Sequence, residues 1–330
     1  MIVATRTSTR QARALPPLVA IVGPTAVGKT ATAIRLALDI DGEVVSADSR
    51  YLYRGMDIGT AKPTVAEMRG VPHHLIDVVD PTEDYSLALY QHDAYQAIAD
   101  ITARGRVPIL AGGTPLYINA VLEGWRIPEV PPDPAFREEM EQVARERGPE
   151  HLHQRLAAVD PAAAARIPAT NVRRVIRALE IYHHTGRPMT ELEGKSPPPY
   201  RVLIVGLTLP REELYRRIDR RVDEQIAAGL VDEVRGLLEA GVPPDAPAMS
   251  AIGYGEIVAY LQGETTLPEA IERIRYNTHR YARHQTTWLR RMRGVHWFDP
   301  REPGWYERLL TLVRTFLAGN ETDLNSADVD

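Results

Sequence analysis

Apolar and polar positions along the chain follow two patterns that alternate with each other. Short apolar runs rich in β-branched residues predict buried strands at 18–22, 43–46, 107–111, 201–209 and 295–298. Apolar residues spaced three and four positions apart predict helices at 29–40, 87–104, 211–228, 231–240 and 267–293. Because strands and helices alternate, we expect an α/β fold with a doubly wound parallel sheet.

This alternation is interrupted in the middle of the chain. Residues 135–186 show only helical patterns and lie between two proline-rich segments, which indicates an inserted all-helical domain. The predicted divisions are 1–17 as a disordered tail, 18–127 and 200–318 as an α/β core ending in helices, 128–199 as the helical insertion, and 319–330 as a second disordered tail.

The first predicted strand leads into a glycine-rich turn that opens the first predicted helix. Its residues are Gly23, Pro24, Thr25, Ala26, Val27, Gly28, Lys29 and Thr30, which match the P-loop pattern G-x-x-x-x-G-K-[ST]. The position of this motif between a predicted strand and a predicted helix argues against a chance match. Backbone N–H groups, the helix N-terminus and the Lys29 ammonium attract phosphate oxygens, and the Thr30 hydroxyl is a ligand for Mg²⁺. We expect a P-loop NTPase-like fold that binds a diphosphate or a triphosphate.

Two further polar groups follow the ends of predicted strands. Asp48 comes after the second strand, and Thr114 comes after the strand at 107–111. Ligands of open α/β sheets bind beyond the carboxyl ends of the strands, so both residues are expected near the phosphate site. Asp48 suits a general base or a water-mediated magnesium ligand, but an ordinary turn cap fits the residues equally well.

The composition narrows the class of protein. The chain has no cysteine, which excludes a disulfide framework and a cysteine zinc site. No apolar run approaches the ~18 residues that a membrane helix needs, so we expect a cytoplasmic protein that does not contact membranes. The net charge of -5 argues against a surface that binds polyanions everywhere, and local basic clusters therefore matter more than the total.

Such clusters occur on two predicted helices, one in the insertion and one near the C-terminus. The arginines are Arg173, Arg174 and Arg177 on the first helix, and Arg273, Arg280, Arg283, Arg290 and Arg291 on the second. Basic helices follow RNA phosphates, whereas a solvated face with salt bridges is the alternative; the phosphate motif favours RNA. Tyr281, which lies between Arg280 and Arg283 in the sequence, is expected in the core, and stacking on an RNA base is the alternative.

Seven blocks of the sequence, in order, resemble the tRNA dimethylallyltransferase (isopentenyltransferase) family. They are GPTAVGKT at 23–30, SADSRYLYRGMDIGTAKP at 46–63, GGTPLY at 112–117, NVRRVIRALE at 171–180, GLVDEVR at 229–235, AIGY at 251–254 and RYARHQTTW at 280–288. The resemblance extends over roughly residues 18–298 and is greatest to the bacterial members, because eukaryotic members add a zinc finger that a cysteine-free chain lacks.

The resemblance implies a reaction. Family members transfer a dimethylallyl group from dimethylallyl diphosphate to N6 of the adenine next to the anticodon of a tRNA. The implied partners of a monomeric chain are therefore dimethylallyl diphosphate, the anticodon stem-loop of tRNA, and Mg²⁺. The phosphate motif would hold this diphosphate rather than ATP. Asp48 would be the general base, Thr114 would hydrogen bond near the transferring group, and Lys29 and Arg235 would contact the diphosphate.

The resemblance and the basic helices together imply a set of residues that contact tRNA. They are Asp48, Ser49, Arg50, Tyr51, Thr114, Arg137, Arg173, Arg174, Val175, Ile176, Arg177, Ser250, Ala251, Ile252, Gly253, Tyr254, Gly255, Arg280, Arg283 and Gln285. Two of these positions differ from the usual family pattern, which has Gln at the position of Tyr51 and a basic residue at that of Gly255.

Three other functions share parts of this pattern. A small-molecule P-loop kinase shares the phosphate motif, but it does not account for the helical insertion or the arginine helices. A prenyltransferase acting on free adenosine nucleotides would not need an RNA-binding insertion. A non-catalytic RNA-binding NTPase switch would need no general base, so loss of transfer with retained tRNA binding on substitution of Asp48 separates it from an enzyme.

Overall fold

The computed structural model describes residues 15–196 and 198–319. Its strands are β1 (Pro17–Val22), β2 (Gly42–Ala47), β3 (His73–His74), β4 (Val107–Gly112), β5 (Trp125–Arg126), β6 (Gly194–Lys195), β7 (Arg201–Leu207) and β8 (Val295–Phe298). Six of them form a parallel sheet in the order β3-β2-β4-β1-β7-β8, and β5 pairs antiparallel with β6. The parallel α/β sheet predicted from the sequence is therefore confirmed.

The helices connect and cover these strands. They are α1 (Lys29–Ile40), α2 (Val65–Met68), α3 (Leu87–Ala103), α4 (Pro115–Leu122), α5 (Pro134–Arg147), α6 (Pro149–Val159), α7 (Pro161–Arg166), α8 (Val172–Thr185), α9 (Met189–Leu192), α10 (Arg211–Ala227), α11 (Leu230–Glu239), α12 (Tyr254–Leu261), α13 (Leu267–Leu289) and α14 (Trp305–Leu317). Within the described ranges, no helix combines the length and the apolar character needed to cross a membrane.

The first of two compact units contains the described residues 15–83, 96–115 and 199–319. β1 lies between β4 and β7, and Leu18 to Ile21 have no exposed surface. A strand covered on both faces is apolar at every position, which explains the unbroken apolar run in the sequence. In the parallel register Val22 and Ala47 both lie opposite Gly112. The residues that follow these three strands therefore emerge at one edge of the sheet.

The second unit contains 84–95 and 116–198, of which residue 197 is not described. Its core is formed by apolar faces of α5 to α8, where Leu152, Leu156 and Val175 are fully buried. Asp133 and Asp160 cap α5 and α7 by accepting hydrogen bonds from backbone N–H groups. Besides its helices, the unit includes the short β5–β6 pair.

The second unit extends beyond the predicted insertion of 128–199. Residues 84–95 and 116–127 belong to it because the start of α3 is tied to α4 and β5. Gln91 Nε2 donates to the carbonyls of Ala120 and Trp125 at 2.6 and 2.8 Å. These bonds join positions distant in sequence, which an apolar pattern does not reveal.

The predicted tails fall almost entirely outside the described residues. Residues 1–14 and 320–330 are not described, so the prediction of disorder is not tested there. Residues 15–17 and 319 are described, and Pro17 begins β1 one residue before the predicted strand.

Candidate active site

The turn between β1 and α1 has the backbone that an anion cradle requires. Ala26 and Gly28 adopt positive φ angles of 62° and 105°, and α1 begins immediately afterwards at Lys29. A Cβ on Gly23 would lie 2.8 Å from the carbonyl oxygen of Leu207, so glycine is required for the close approach of β7. The turn thus presents N–H groups and the positive end of the α1 dipole to one point.

Lys29 lies at the start of α1 within this cradle. Its Nζ donates a hydrogen bond to the carbonyl of Pro24 at 2.8 Å. Burial lowers the pKa of Lys29 to about 8; the charge of Asp48 opposes this shift and that of Arg221 adds to it. The ammonium is therefore poorly solvated and gains more from an incoming anion than an exposed lysine does.

Gln285 of α13 fixes the cradle from the other side. The side chain is 2% exposed; its Oε1 accepts the Thr25 N–H at 2.8 Å, and its Nε2 donates to the Gly113 carbonyl at 2.7 Å. A Cβ on Gly113 would lie 2.6 Å from this Nε2, so the glycine makes room for the bridge. The amide of Gln285, which was predicted to contact tRNA, is thus used within the protein.

Asp48 and Thr114 follow β2 and β4 and lie close together. The Ser49 N–H donates to Thr114 Oγ1 at 3.0 Å, and the Thr114 N–H donates to the Ala47 carbonyl at 3.1 Å. Asp48 Oδ1 accepts the Arg50 N–H at 2.9 Å, which is the turn-capping bond considered as the alternative. The carboxylate also lines a cavity, so it acts as a cap and still faces a ligand space.

This cavity has a volume of about 760 Å³ and lies beside the phosphate cradle. Lys29, Thr30 and Asp48 line it, and so do Arg217 and Arg221 of α10. The two arginines were not predicted as site residues, because α10 carries several arginines that resemble a solvated face. Their i,i+4 spacing, which places both guanidinium groups on one helix face, is the feature that could have identified them.

Arg235, predicted to contact the diphosphate, is placed differently. Its side chain forms an ion pair with Asp232 one helical turn earlier, and both side chains are exposed. Among the described residues that line the cavity, the cations are Lys29, Arg69, Arg217 and Arg221; Arg235 is not one of them, and its contact with the diphosphate stays a prediction. α11 instead directs Glu233 toward the residues that border the cavity.

Two tyrosines lie beside Asp48. Tyr51 Oη donates to the Ala61 carbonyl at 2.9 Å, and burial together with the charge of Asp48 raises the pKa of Tyr51. Tyr281 is 38% exposed, and burial of its hydroxyl and the charge of Asp48 raise its pKa to about 12. The expectation that Tyr281 belongs to the core is therefore wrong, and its ring lies at the site.

The predicted RNA contacts of the first unit divide into exposed and buried groups. Arg50 Nη1 donates to the Pro247 carbonyl at 3.1 Å and its Nη2 to Ser250 Oγ at 3.3 Å, so two predicted segments adjoin each other. The exposed residues are Ser250, Gly255, Arg280 and Arg283. The buried residues are Ala251, Gly253, Tyr254 and Gln285, and Ile252 is half-buried. Buried side chains support the RNA surface rather than form it.

The second unit shows the same division. Arg137 and Arg177 both bind Glu180, which has no exposed surface, with Nε of Arg137 at 2.7 Å and Nη1 of Arg177 at 2.5 Å. Although burial opposes ionisation of Glu180, hydrogen bonds from Arg137, the Asp133 N–H and Arg177 lower its pKa to about 2. Arg137 thereby joins α5 to α8, whereas Arg177 pairs with Glu180 within α8 and donates to the Val130 carbonyl at 2.9 Å.

Of the remaining predicted residues on α8, Val175 and Ile176 are buried in the core of the second unit. Arg173 and Arg174 are exposed and available to a phosphate backbone. The cluster of arginines predicted from the sequence therefore has two exposed members on this helix.

The oxygen ligands at the cavity suit Mg²⁺. The Thr30 hydroxyl and the Asp48 carboxylate line the same space, and Mg²⁺ completes its shell with waters and substrate phosphate oxygens. In residues 15–196 and 198–319, no group of three or more His, Cys, Asp and Glu residues is placed to hold a metal. The site therefore fits an ion bound together with a phosphate ligand.

The fold and the cavity define a P-loop α/β protein whose site suits a diphosphate or triphosphate group beside a carboxylate. The family model described as IPP transferase matches residues 51–292, and one described as Isopentenyl transferase matches residues 16–81. The chain belongs to the IPP transferase family.

Curated relatives agree with this assignment over nearly their whole length. A tRNA dimethylallyltransferase of Thermomicrobium roseum is 70% identical over 301 residues, which are 91% of this chain and 92% of that protein. A tRNA dimethylallyltransferase of Geobacillus kaustophilus is 50% identical over 301 residues, which are 91% of this chain and 95% of that protein.

Solved structures show the same fold. The tRNA isopentenylpyrophosphate transferase of Bacillus halodurans has a TM-score of 0.68 at 45% identity and covers 94% of this chain and 99% of its own. A eukaryotic dimethylallyltransferase acting on tRNA has a TM-score of 0.79 at 27% identity, covering 92% of this chain and 80% of its own.

Proposed function

We propose that the protein transfers a dimethylallyl group from dimethylallyl diphosphate to N6 of the adenine next to the anticodon of tRNA, releasing diphosphate. Membership of a family whose relatives are named tRNA dimethylallyltransferase supports the reaction class. The structural observation that carries the proposal is the single cavity that joins the phosphate cradle, Lys29 and Arg221 to the carboxylate of Asp48. Such a space has a cationic end for a diphosphate and a basic group for an amine.

The cationic end serves the leaving group. N–H groups of the cradle, Lys29, Arg217 and Arg221 bind the diphosphate oxygens and stabilise the negative charge that develops as the allylic C–O bond breaks. When bound, Mg²⁺ held by Thr30 would neutralise part of that charge. Because Lys29 is already desolvated, little water must be removed when the diphosphate enters.

The carboxylate serves the nucleophile. The exocyclic amine of adenine is weakly nucleophilic because its lone pair is delocalised into the ring. As the nitrogen forms its bond to the allylic carbon, Asp48 accepts the proton, while the electron pair of the C–O bond leaves with the diphosphate. Thr114 and Tyr281 lie beside Asp48 and supply hydroxyl groups that orient the adenine. A base stacked in an RNA loop must first be extruded, and contacts to the RNA supply that energy.

The exposed arginines serve RNA binding. Arg173 and Arg174 in the second unit, and Arg280 and Arg283 in the first, neutralise backbone phosphates, so that tRNA affinity falls steeply as salt concentration rises. Arg50 and Ser250 lie near Asp48 and contact the nucleotides next to the target adenine. The protein acts as a monomer in this proposal.

A direct test supplies unmodified tRNA, Mg²⁺ and dimethylallyl diphosphate to the protein, digests the RNA and measures nucleoside masses. Prenylated adenosine from tRNA, with none from free AMP, is the expected result. Modified AMP would instead support the prenyltransferase acting on free nucleotides. Transfer or hydrolysis of ATP phosphate, with no modified nucleoside, would contradict the proposal and favour the kinase or the NTPase switch.

The lowered pKa of Lys29 predicts a pH dependence of diphosphate binding. Because this pKa is about 8, Lys29 is mostly charged at pH 7 and mostly neutral at pH 9, and only the charged form attracts the ligand. The affinity contribution of Lys29 should therefore fall about tenfold in total from pH 7 to pH 9. Calorimetry with inorganic diphosphate and Mg²⁺ measures it.

The affinity also changes with pH because diphosphate itself ionises, and this effect cancels when the wild type is compared with Lys29→Met. The difference between wild type and variant should be large at pH 7 and small at pH 9. An equal difference at both pH values would show that Lys29 does not titrate in this range.

A further inference from the structure

A short loop of residues 57–61 borders the cavity through Thr60 and Ala61. Three consecutive N–H groups of this loop point at one carboxylate: those of Asp57 and Ile58 donate to Glu233 Oε2 at 2.9 and 2.7 Å, and that of Gly59 donates to Oε1 at 3.1 Å. The Tyr254 hydroxyl donates to the same Oε1 at 2.6 Å. Glu233 thus accepts four hydrogen bonds, and its charge strengthens each of them.

The carbonyl groups of the same loop accept hydrogen bonds from two side chains of α10 and from Tyr51. Gln225 Nε2 donates to the carbonyls of Ile58 and Gly59 at 2.8 and 2.7 Å. Arg221 Nη2 donates to the Thr60 carbonyl at 3.1 Å. Tyr51 Oη donates to the Ala61 carbonyl at 2.9 Å. The loop therefore connects Glu233 to two groups that lie beside Lys29 and Asp48.

Neighbouring groups leave the loop little freedom. A Cβ on Gly59 would lie 2.4 Å from the ring of Tyr254, so the backbone passes directly over that ring. Lys62, whose side chain is 4% exposed, closes the loop by binding the carboxylates of Asp57 and Asp77 at 2.6 and 2.5 Å. Loss of the Glu233 acceptor would leave three loop N–H groups without their partner and shift the carbonyls behind them.

We propose that Glu233 is a positioning residue for diphosphate binding, which acts through the 57–61 loop to hold the guanidinium of Arg221 toward the phosphate cradle. The proposal rests on the function proposed above. It assigns the contribution of α11 to the half-buried carboxylate of Glu233 rather than to the exposed Arg235. Since Glu233 does not line the cavity, its influence on the ligand passes through Arg221.

The test measures the affinity of the full-length protein for inorganic diphosphate with Mg²⁺. Glu233→Gln keeps the size of the side chain, but it replaces one acceptor oxygen by an NH₂ group that faces the loop donors. We expect this variant to bind diphosphate about 10- to 100-fold more weakly. The KM for dimethylallyl diphosphate should rise in parallel, whereas the KM for tRNA should stay within about twofold of wild type.

A double-mutant cycle shows whether the effect passes through Arg221. In an Arg221→Gln background, Glu233→Gln should weaken diphosphate binding by less than about twofold, because the group that it positions is gone. The same loss in both backgrounds would overturn the proposal and leave Glu233 a purely structural residue. Glu239→Gln, an exposed position on the same helix, should bind diphosphate like the wild type.

Gln225→Met decides the question if Glu233→Gln fails to fold. It removes the amide that holds the carbonyls of Ile58 and Gly59, and leaves the N–H side of the loop intact. Weakened diphosphate binding that disappears in the Arg221→Gln background supports the proposal, and unchanged binding overturns it. A wild-type protein that binds no diphosphate would overturn the proposed function and this inference with it.

Discussion

Replacing Asp48 by Asn should lower the rate of prenyl transfer about 100- to 10,000-fold, the usual contribution of a general base. The amide oxygen of Asn can still accept the Arg50 N–H that Asp48 Oδ1 accepts at 2.9 Å, so the turn after β2 is retained. What disappears is the group that takes the amine proton. The measurement is single-turnover transfer at saturating tRNA and dimethylallyl diphosphate, with tRNA affinity measured separately by filter binding.

Binding of tRNA should survive this substitution, because the arginines that neutralise phosphates are unchanged. Asp41→Asn provides the control: it removes an exposed carboxylate at the opposite end of β2, where Asn also tolerates the left-handed backbone. Transfer that persists in Asp48→Asn and in Asp48→Ala would show that another group accepts the proton. Loss of transfer together with loss of tRNA binding would assign Asp48 to RNA recognition.

The second large effect is expected at Arg221. Arg221→Gln removes a cation that lines the diphosphate end of the cavity and should lower the transfer rate about 100- to 1,000-fold, as does loss of one preorganised group that stabilises developing charge. Arg235→Gln removes the same charge from an exposed ion pair with Asp232 and should leave the rate within about twofold of wild type.

Comparing these two variants shows whether the arginine suggested by the structure or the one suggested by the sequence binds the diphosphate. A large loss in Arg235→Gln with little change in Arg221→Gln would restore the assignment made from the sequence. It would also mean that α11 rearranges when the diphosphate binds. Kinetics with dimethylallyl diphosphate varied and tRNA fixed provide the comparison.

The parts of the fold that the sequence revealed are those decided by local pattern. The strand at 18–22 was recognisable because a doubly covered strand is apolar throughout, and the phosphate cradle because its glycines and Lys29 have fixed spacing. α12 and α14 were not predicted, although both bury an apolar face in the first unit. α14 has 13 residues, more than α1, and buries apolar residues at helical spacing, so its pattern was present in the sequence and was missed, whereas α12 has only eight residues.

The parts of the site that remained hidden depend on contacts between distant residues. Gln285 reaches Thr25 across 260 positions, and Arg221 reaches Thr60 across 161. Arg221 does not differ by type from the exposed arginines of α10, and Gln285 lies among other polar residues of α13, so only the folded chain shows which of these side chains lie at the site. The charge of Arg137 was assigned to RNA for the same reason, because its partner Glu180 lies 43 positions away, whereas Arg177 pairs with that carboxylate only three positions along α8.

The bridge made by Gln285 also sets an order in time. The ribosome synthesises the cradle at residues 23–30 early. The Gln285 side chain that accepts the Thr25 N–H is synthesised only with α13, 260 positions after Thr25. β7, which lies beside β1, likewise arrives after the whole second unit. A nascent chain that already contains the complete P-loop sequence therefore still lacks the bridge between the cradle and Gly113. The site is therefore completed only after α13 has been synthesised, and an arrested chain that ends before α13 carries the motif without its finished form.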